Sequence, residues 1–228
     1  MSNATQSNDI KTHALVLRRT NFGEADRVIN FLTEQGIIAA IAKGVRKEKS
    51  KLAGAVELFC LSEVTLHKSL NNKLCILTSA KMLDHYDKIV YNLPELELAS
   101  LVMKKISTAA EASSGPEYFE LLKQILVSLN SGLSPELVET WFWFNFAKTN
   151  GEQVNLIKDV DGNKLDPFKT YVWDSTESAL RERLGGNVGA SEIKLMRLML
   201  SSDLKTVSKV KDVEKKLPTL LYIAKAVN

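Results

Sequence analysis

The chain has 228 residues, 45% of them hydrophobic and 25% charged, with a net charge of +3. This is ordinary globular composition with length for one core or two small ones. No apolar run approaches the roughly 18 residues of a membrane span, so a soluble protein without membrane partners is expected.

Residues 1–11 read as a disordered leader. Met1 to Ile10 are polar and lack an apolar signal core, which gives a cytoplasmic location by default. Residues 12–85 read as β. Thr12 to Arg19 has a β-compatible apolar centre, and Asn21-Phe22-Gly23 is a turn signal. Asp26 to Thr33 is the second strand, Glu34-Gln35-Gly36 the second turn, and Ile37 to Ala42 the third strand. After a basic segment come Leu58 to Leu66 and Leu74 to Thr78, with Ser69-Leu70-Asn71-Asn72 as the hairpin loop between them. Five strands at short, even spacing suit a small closed barrel of the OB type.

From Pro94 the periodicity changes to helical. Pro94-Glu95-Leu96-Glu97 opens a helix with proline in the first turn and acids at the positive end of the dipole. Leu98, Leu101, Val102 and Ile106 follow at helical spacing. Ser113-Ser114-Gly115-Pro116 breaks the chain, Glu117 to Leu129 is a second helix, and Ser134-Pro135-Glu136 opens a third. That third helix carries Trp141, Phe142, Trp143, Phe144 and Phe146, which splay around its circumference. It is read as buried on several sides at the centre of a helical domain, with a partner groove as the alternative. Residues 152–173 read as a hairpin-like insert, Val154 to Ile157 and Thr170 to Trp173 flanking Asp161-Gly162-Asn163. Helices return at 190–202 and 206–227, and Gly185 to Gly189 reads as a linker. The expected architecture is α+β: an OB-fold barrel over 12–85 and a helical domain over 90–228.

Charge is unevenly spread. Residues 1–90 hold 13 basic and 9 acidic side chains, whereas residues 91–228 hold 17 and 18. A polyanionic partner is therefore expected at the barrel.

The stretch from Leu17 through Arg18, Arg19, Phe22, Gly23 and Arg27 to Ile29 resembles the opening of the RecO family of recombination mediators. Thr33-Glu34-Gln35-Gly36 follows at that family's distance. Ala42-Lys43-Gly44-Val45-Arg46-Lys47, Lys49-Ser50-Lys51-Leu52 and Glu57-Leu58 then follow in the same order. The resemblance implies an OB-fold followed by a helical domain, binding to single- and double-stranded DNA, and annealing of complementary strands. It also implies action with a RecR-like protein and with single-stranded-DNA-binding protein in loading a recombinase, without nucleotide hydrolysis. Beyond residue 90 the likeness is general. Many family members carry four zinc-binding cysteines in the insert, and residues 150–185 here contain none, so no metal or other cofactor is expected. Cys60 and Cys75 sit in apolar stretches and read as reduced core thiols.

Lys43, Arg46, Lys47, Lys49 and Lys51 place five cations in nine residues, offset only by Glu48. Such a cluster attracts phosphates and makes binding fall with salt; a solvated loop at a barrel edge is the structural alternative. Arg18 and Arg19 are adjacent on a strand and point to opposite faces, so they cannot both meet one ligand. Arg27 follows Glu24 and Asp26 and is either a DNA contact or a local ion pair. Aromatics are sparse in the barrel. Phe31 and Phe59 read as core, and Phe22, in a turn, is the one candidate for base stacking.

No catalytic constellation stands out, and the protein is read as a non-enzyme. His13, His67 and His85 lack metal-type spacing, and no GxxxxGK[ST], GxSxG or HExxH motif occurs. Asp159 to Asp166 misplaces its glycine for a calcium loop and reads as a turn. Two rivals to DNA mediation are kept: an OB module that binds RNA, and an interaction adaptor dominated by its helical domain.

Overall fold

The computed structural model describes residues 8–68, 74–113 and 115–228. The chain divides into two compact units, one ending at Leu126 and the other spanning Val127–Asn228.

The first unit is built on a closed five-stranded barrel in the order β1-β2-β3-β5-β4. Its strands are β1 (Asp9–Phe22), β2 (Asp26–Thr33), β3 (Gly36–Ala42), β4 (Cys60–His67) and β5 (Cys75–His85). This is the OB-type architecture expected from the sequence. Asp9 to Leu15 of β1 pair with β4 and Ala14 to Phe22 with β2, and a bulge between Val16 and Arg18 interrupts the β2 ladder just past the end of the β4 pairing. A bulge bends and twists a strand, which a strand shared by two sides of a small barrel requires. A short parallel pairing of Ala40 and Ile41 with Cys75 and Ile76 closes the cylinder.

Two boundaries differ from the sequence reading. Asp9, Ile10 and Lys11 belong to β1, where they pair with His67, Leu66 and Thr65, so the leader does not extend to residue 11. The partner strand decides this, since a polar segment carries no apolar signal of its own. Strand β5 runs to His85, because β4 offers a partner along that whole length. The proposed hairpin loop Ser69 to Asn72 lies outside the described residues.

Alternation fills the barrel. Ala14, Val16, Ile29, Phe31, Ala40, Ala42, Val64, Leu66 and Leu77 form the buried interior. Full burial of a side chain such as Phe31 stabilises the fold by roughly 1.5–3 kcal/mol. The outward row Leu15–Leu32–Ile37, aligned across three strands, is also shielded: Leu15 and Leu32 are fully buried. Helix α1 (Leu93–Ala112) packs against β1 and β3 with Leu98, Ala99, Val102, Met103 and Ile106 buried. The first unit therefore passes the 85–90 boundary suggested by the change in periodicity. The boundary falls instead within helix α2 (Pro116–Asn130).

The second unit is organised around α3 (Pro135–Thr149). Ser134 caps it by accepting from the Leu137 amide, and Trp141, Phe142, Trp143, Phe144 and Phe146 are all buried, as expected from the sequence. Helices α4 (Ala190–Ser201) and α6 (Leu217–Ala226) pack on α3. Side chains of α3 serve the end of α4. Asn145 donates to the Met199 carbonyl at 3.0 Å, Lys148 to Leu200 at 2.8 Å and the Trp141 indole to Ser202 at 3.0 Å. These bonds satisfy carbonyls that a helix end leaves without intrahelical partners. The single helix expected at 206–227 is instead α5 (Leu204–Val207), a 3₁₀ turn and α6. Asp212 in a left-handed conformation and Pro218 in the first turn of α6 interrupt it.

The insert also departs from expectation. Its hairpin pairs β6 (Tyr171–Asp174) with β7 (Ala179–Glu182), not with residues 154–157. Asp161-Gly162-Asn163 forms a local turn, in agreement with the sequence. The buried Asp159 carboxylate accepts from the amides of Asp161 and Asn163 at 3.0 and 2.8 Å, and Gly162 takes φ +82°. Val188 bridges to Tyr171, so Gly185 to Gly189 is a third edge rather than a free linker. A Cβ on Gly186 would lie 2.3 Å from the Tyr171 carbonyl oxygen, so only glycine fits this approach. Tyr171, Trp173, Leu180 and Val188 are buried together in this region. An apolar cluster without cysteine does not fit zinc.

Candidate nucleic-acid interface

The segment joining β3 to β4 carries the basic cluster. Its apolar residues are anchored inside: Val45 and Val56 are buried in the barrel core, and Leu52, Ala53 and Leu58 pack against it. The same segment leaves Lys43, Arg46, Lys47, Lys49 and Lys51 exposed. It is pinned to the β1–β2 hairpin at three points. The Gly44 amide donates to Asp26 Oδ1 at 2.7 Å, the Arg46 amide to the Ala25 carbonyl at 2.9 Å, and Arg46 Nη1 to the Gly23 carbonyl at 3.2 Å. Gly44, at φ +64°, permits the turn that brings these groups together. The five cations thus sit on a segment fixed to the barrel, and none forms an ion pair with a described carboxylate.

Arg19 and Arg27 meet a different fate. Both are about three-quarters buried and converge on Glu57: Arg19 Nη1 pairs with Oε2, and Arg27 Nη1 with Oε1 at 3.2 Å. Arg27 Nε also donates to Asn21 Oδ1 at 3.2 Å. The ion pair suspected for Arg27 exists, but its partner is Glu57 rather than Glu24 or Asp26. Arg18 is exposed, with its neighbour Arg19 turned toward Glu57, as strand alternation requires. The five loop cations therefore stay exposed on one short segment, Arg19 and Arg27 meet around one carboxylate, and Arg18 is exposed without a share in that pairing.

Phe22, at the tip of the β1–β2 hairpin, is 57% exposed, whereas Phe31 and Phe59 are buried. Cys60 and Cys75 are buried free thiols. Burial, reinforced by the Glu57 carboxylate, pushes the Cys60 thiol up to about 11, which keeps it protonated and unreactive near neutrality. Burial likewise pushes the Tyr86 phenol up to about 12, with the Asp84 charge adding to it. Among the described residues, no group of three or more His, Cys, Asp or Glu side chains gathers as a metal site. No described helix is long and apolar enough to cross a membrane.

Sequence reasoning missed Glu57 as the acid that occupies two of the candidate arginines. It also missed Lys104 on α1, which lines one cleft with Arg18. Neither was open to local reading, because each association joins segments far apart in the chain.

Residues 7–86 match the family model described as Recombination protein O N terminal. The chain is 28% identical over 218 residues to the DNA repair protein RecO of Dehalococcoides mccartyi strain CBDB1, covering 91% of this chain and 84% of that protein. It is 27% identical to the protein of the same name from Syntrophus aciditrophicus, covering 76% and 68%. A third relative of that name, from Desulfatibacillum aliphaticivorans, is 32% identical over 62% of this chain and 57% of its own length. With an OB-type barrel in the matched segment and similarity continuing through the helical unit, the chain is similar to the RecO DNA repair proteins over most of its length.

Proposed function

We propose that this chain is a cytoplasmic mediator of recombinational repair that binds single- and double-stranded DNA and anneals complementary strands. In this reading it acts with a RecR-like protein and with single-stranded-DNA-binding protein to help load the recombinase. Residues 12–85 are its nucleic-acid-binding domain, and no bond-making chemistry is assigned to it. One observation carries the reading: five exposed cations, without carboxylate partners among the described residues, on a segment held rigidly at the barrel. Cations fixed in this way neutralise backbone phosphates without first breaking ion pairs of their own. Neutralising phosphates on two strands lowers their mutual repulsion, and base pairing then supplies the specificity. Arg18 is a further candidate contact. Arg19 and Arg27 act at most through rearrangement of their pairing with Glu57.

The test is binding to single-stranded and duplex oligonucleotides across a salt series, followed by strand annealing, with Lys43, Arg46, Lys47, Lys49 and Lys51 together replaced by glutamine. The expected result is weaker binding and slower annealing. The salt slope for single strands should also shrink by about 0.7 for every phosphate that is no longer neutralised. An unchanged isotherm at low salt would remove the segment from the mechanism. Competition between matched RNA and DNA strands distinguishes an RNA-binding role, and capture of a RecR-like protein after nuclease treatment distinguishes an adaptor role.

A further inference from the structure

The first unit contains a cleft of about 360 Å³ between the β1 bulge, the start of β4 and the outer side of α1. Its floor is apolar: Leu17, Phe59 and Met103 are buried, and Leu58 is half-buried. Two exposed cations stand at its edge, Arg18 from the strand and Lys104 from the helix. No carboxylate lines the cleft, and neither cation forms an ion pair with a described residue. Ser100 and Thr108 also line it. Their hydroxyls donate backwards along the helix, Ser100 Oγ to the Leu96 carbonyl at 2.7 Å and Thr108 Oγ1 to the Lys104 carbonyl at 3.2 Å. What these oxygens still offer is acceptor capacity.

From this lining we infer that the cleft holds one unstacked nucleotide of a single DNA strand. Its volume lies near the lower end for small-ligand sites, which suits one base and not a folded partner. Arg18 and Lys104 take the phosphate, the apolar floor takes the base, and the hydroxyl oxygens accept from base N–H groups. All the common bases carry such donors, so the site tolerates any sequence. A duplex keeps its bases stacked and paired and cannot fill it. The chain that carries the loop cations continues through Glu57 to Leu58 and Phe59 in the cleft lining. Phe59 enters β4 with φ +61°, a left-handed conformation that a non-glycine residue adopts only under constraint. Strain of this kind recurs at ligand sites. The inference rests on the strand-binding reading above and adds a base-recognising site to it.

The chain has five methionines, so a ¹³C-methyl spectrum of the intact protein reads the cleft floor through Met103, assigned with a Met103→Leu variant. A short oligothymidylate is expected to shift that resonance, and an abasic strand of equal length is not. Lys104→Glu is expected to weaken oligothymidylate binding about tenfold while changing duplex binding by no more than about twofold. Silence of Met103 toward oligothymidylate, an equal response to the abasic strand, or a response only to an acidic peptide with an apolar end would overturn the inference. If the loop variant loses DNA binding while Met103 stays silent, the strand-binding reading stands and the cleft fails. If the unmodified protein binds no strand at low salt, both fall together.

Discussion

Two groups of cations in one barrel have opposite surroundings. Lys43, Arg46, Lys47, Lys49 and Lys51 lie on a segment whose apolar residues are sunk into the core and whose charges face water without ion-pair partners among the described acids. Arg19 and Arg27 lie on β1 and β2, largely buried, and share a single carboxylate. Both groups carry the same charge, but only the first presents it to solvent. Cation density along a chain therefore says less about binding than the position of the nearest acid in space. A partly buried guanidinium that already holds a carboxylate must give up that interaction before it can hold a phosphate.

The strongest way to break this contrast is to neutralise the five loop cations together. DNA affinity at low salt is expected to fall by at least about a hundredfold, measured by fluorescence anisotropy, with the thermal midpoint nearly unchanged. Glu57→Gln acts on the other group. Releasing Arg19 and Arg27 is expected to tighten DNA binding about fivefold and to cost about 1 kcal/mol of stability in urea unfolding, because two partly buried guanidiniums lose their counter-charge. Weaker binding by this variant would show that the arginine pair needs Glu57 for its own contact with DNA. Asp26→Ala removes the acceptor for the Gly44 amide and loosens the segment without altering any cation. Affinity is expected to drop about threefold through reduced preorganisation, seen chiefly as faster dissociation. Arg19→Gln or Arg27→Gln alone is expected to change affinity by less than about twofold, since neither charge is free.

A pH titration tests the same neighbourhood. The Cys60 thiol is raised to about 11 in the folded chain by burial and then by Glu57, so the folded state holds this proton more tightly than the unfolded state. Its contribution is fully present below the unfolded value near 9 and is lost as pH rises through about 11. Unfolding midpoints should therefore decline across that alkaline window, with a shallower decline in Cys60→Ala. Cys60 should also resist thiol reagents at mildly alkaline pH, and rapid labelling of the native protein would contradict its burial.

Much of the barrel was legible because its signals are local. Short β-compatible runs marked β2 and β3 nearly to the residue, and glycines at the two tight turns divided the strands. In the second unit, the Ser134-Pro135 start and the density of aromatic residues identified a buried helix. The insert was harder to read. Tyr171 to Asp174 pairs across a four-residue turn with Ala179 to Glu182, a segment with little alternation, and a more regular run at 154–157 stays irregular. The last helix was read too long because the left-handed Asp212 leaves no mark in composition.

The sequence by itself determined the barrel strands, the starts of the first four helices, the order of the two parts and the existence of a cationic segment. Each of these follows from side-chain periodicity or from residue types with intrinsic backbone preferences. Only the tertiary structure decided which charges are available. Glu57 meets Arg19 and Arg27 across 38 and 30 residues, Asp26 meets the Gly44 amide across 18, and Lys104 comes to stand beside Arg18. Electrostatic and hydrogen-bond partners are set by distance in space, and in a closed barrel that distance depends on register and closure rather than on separation along the chain.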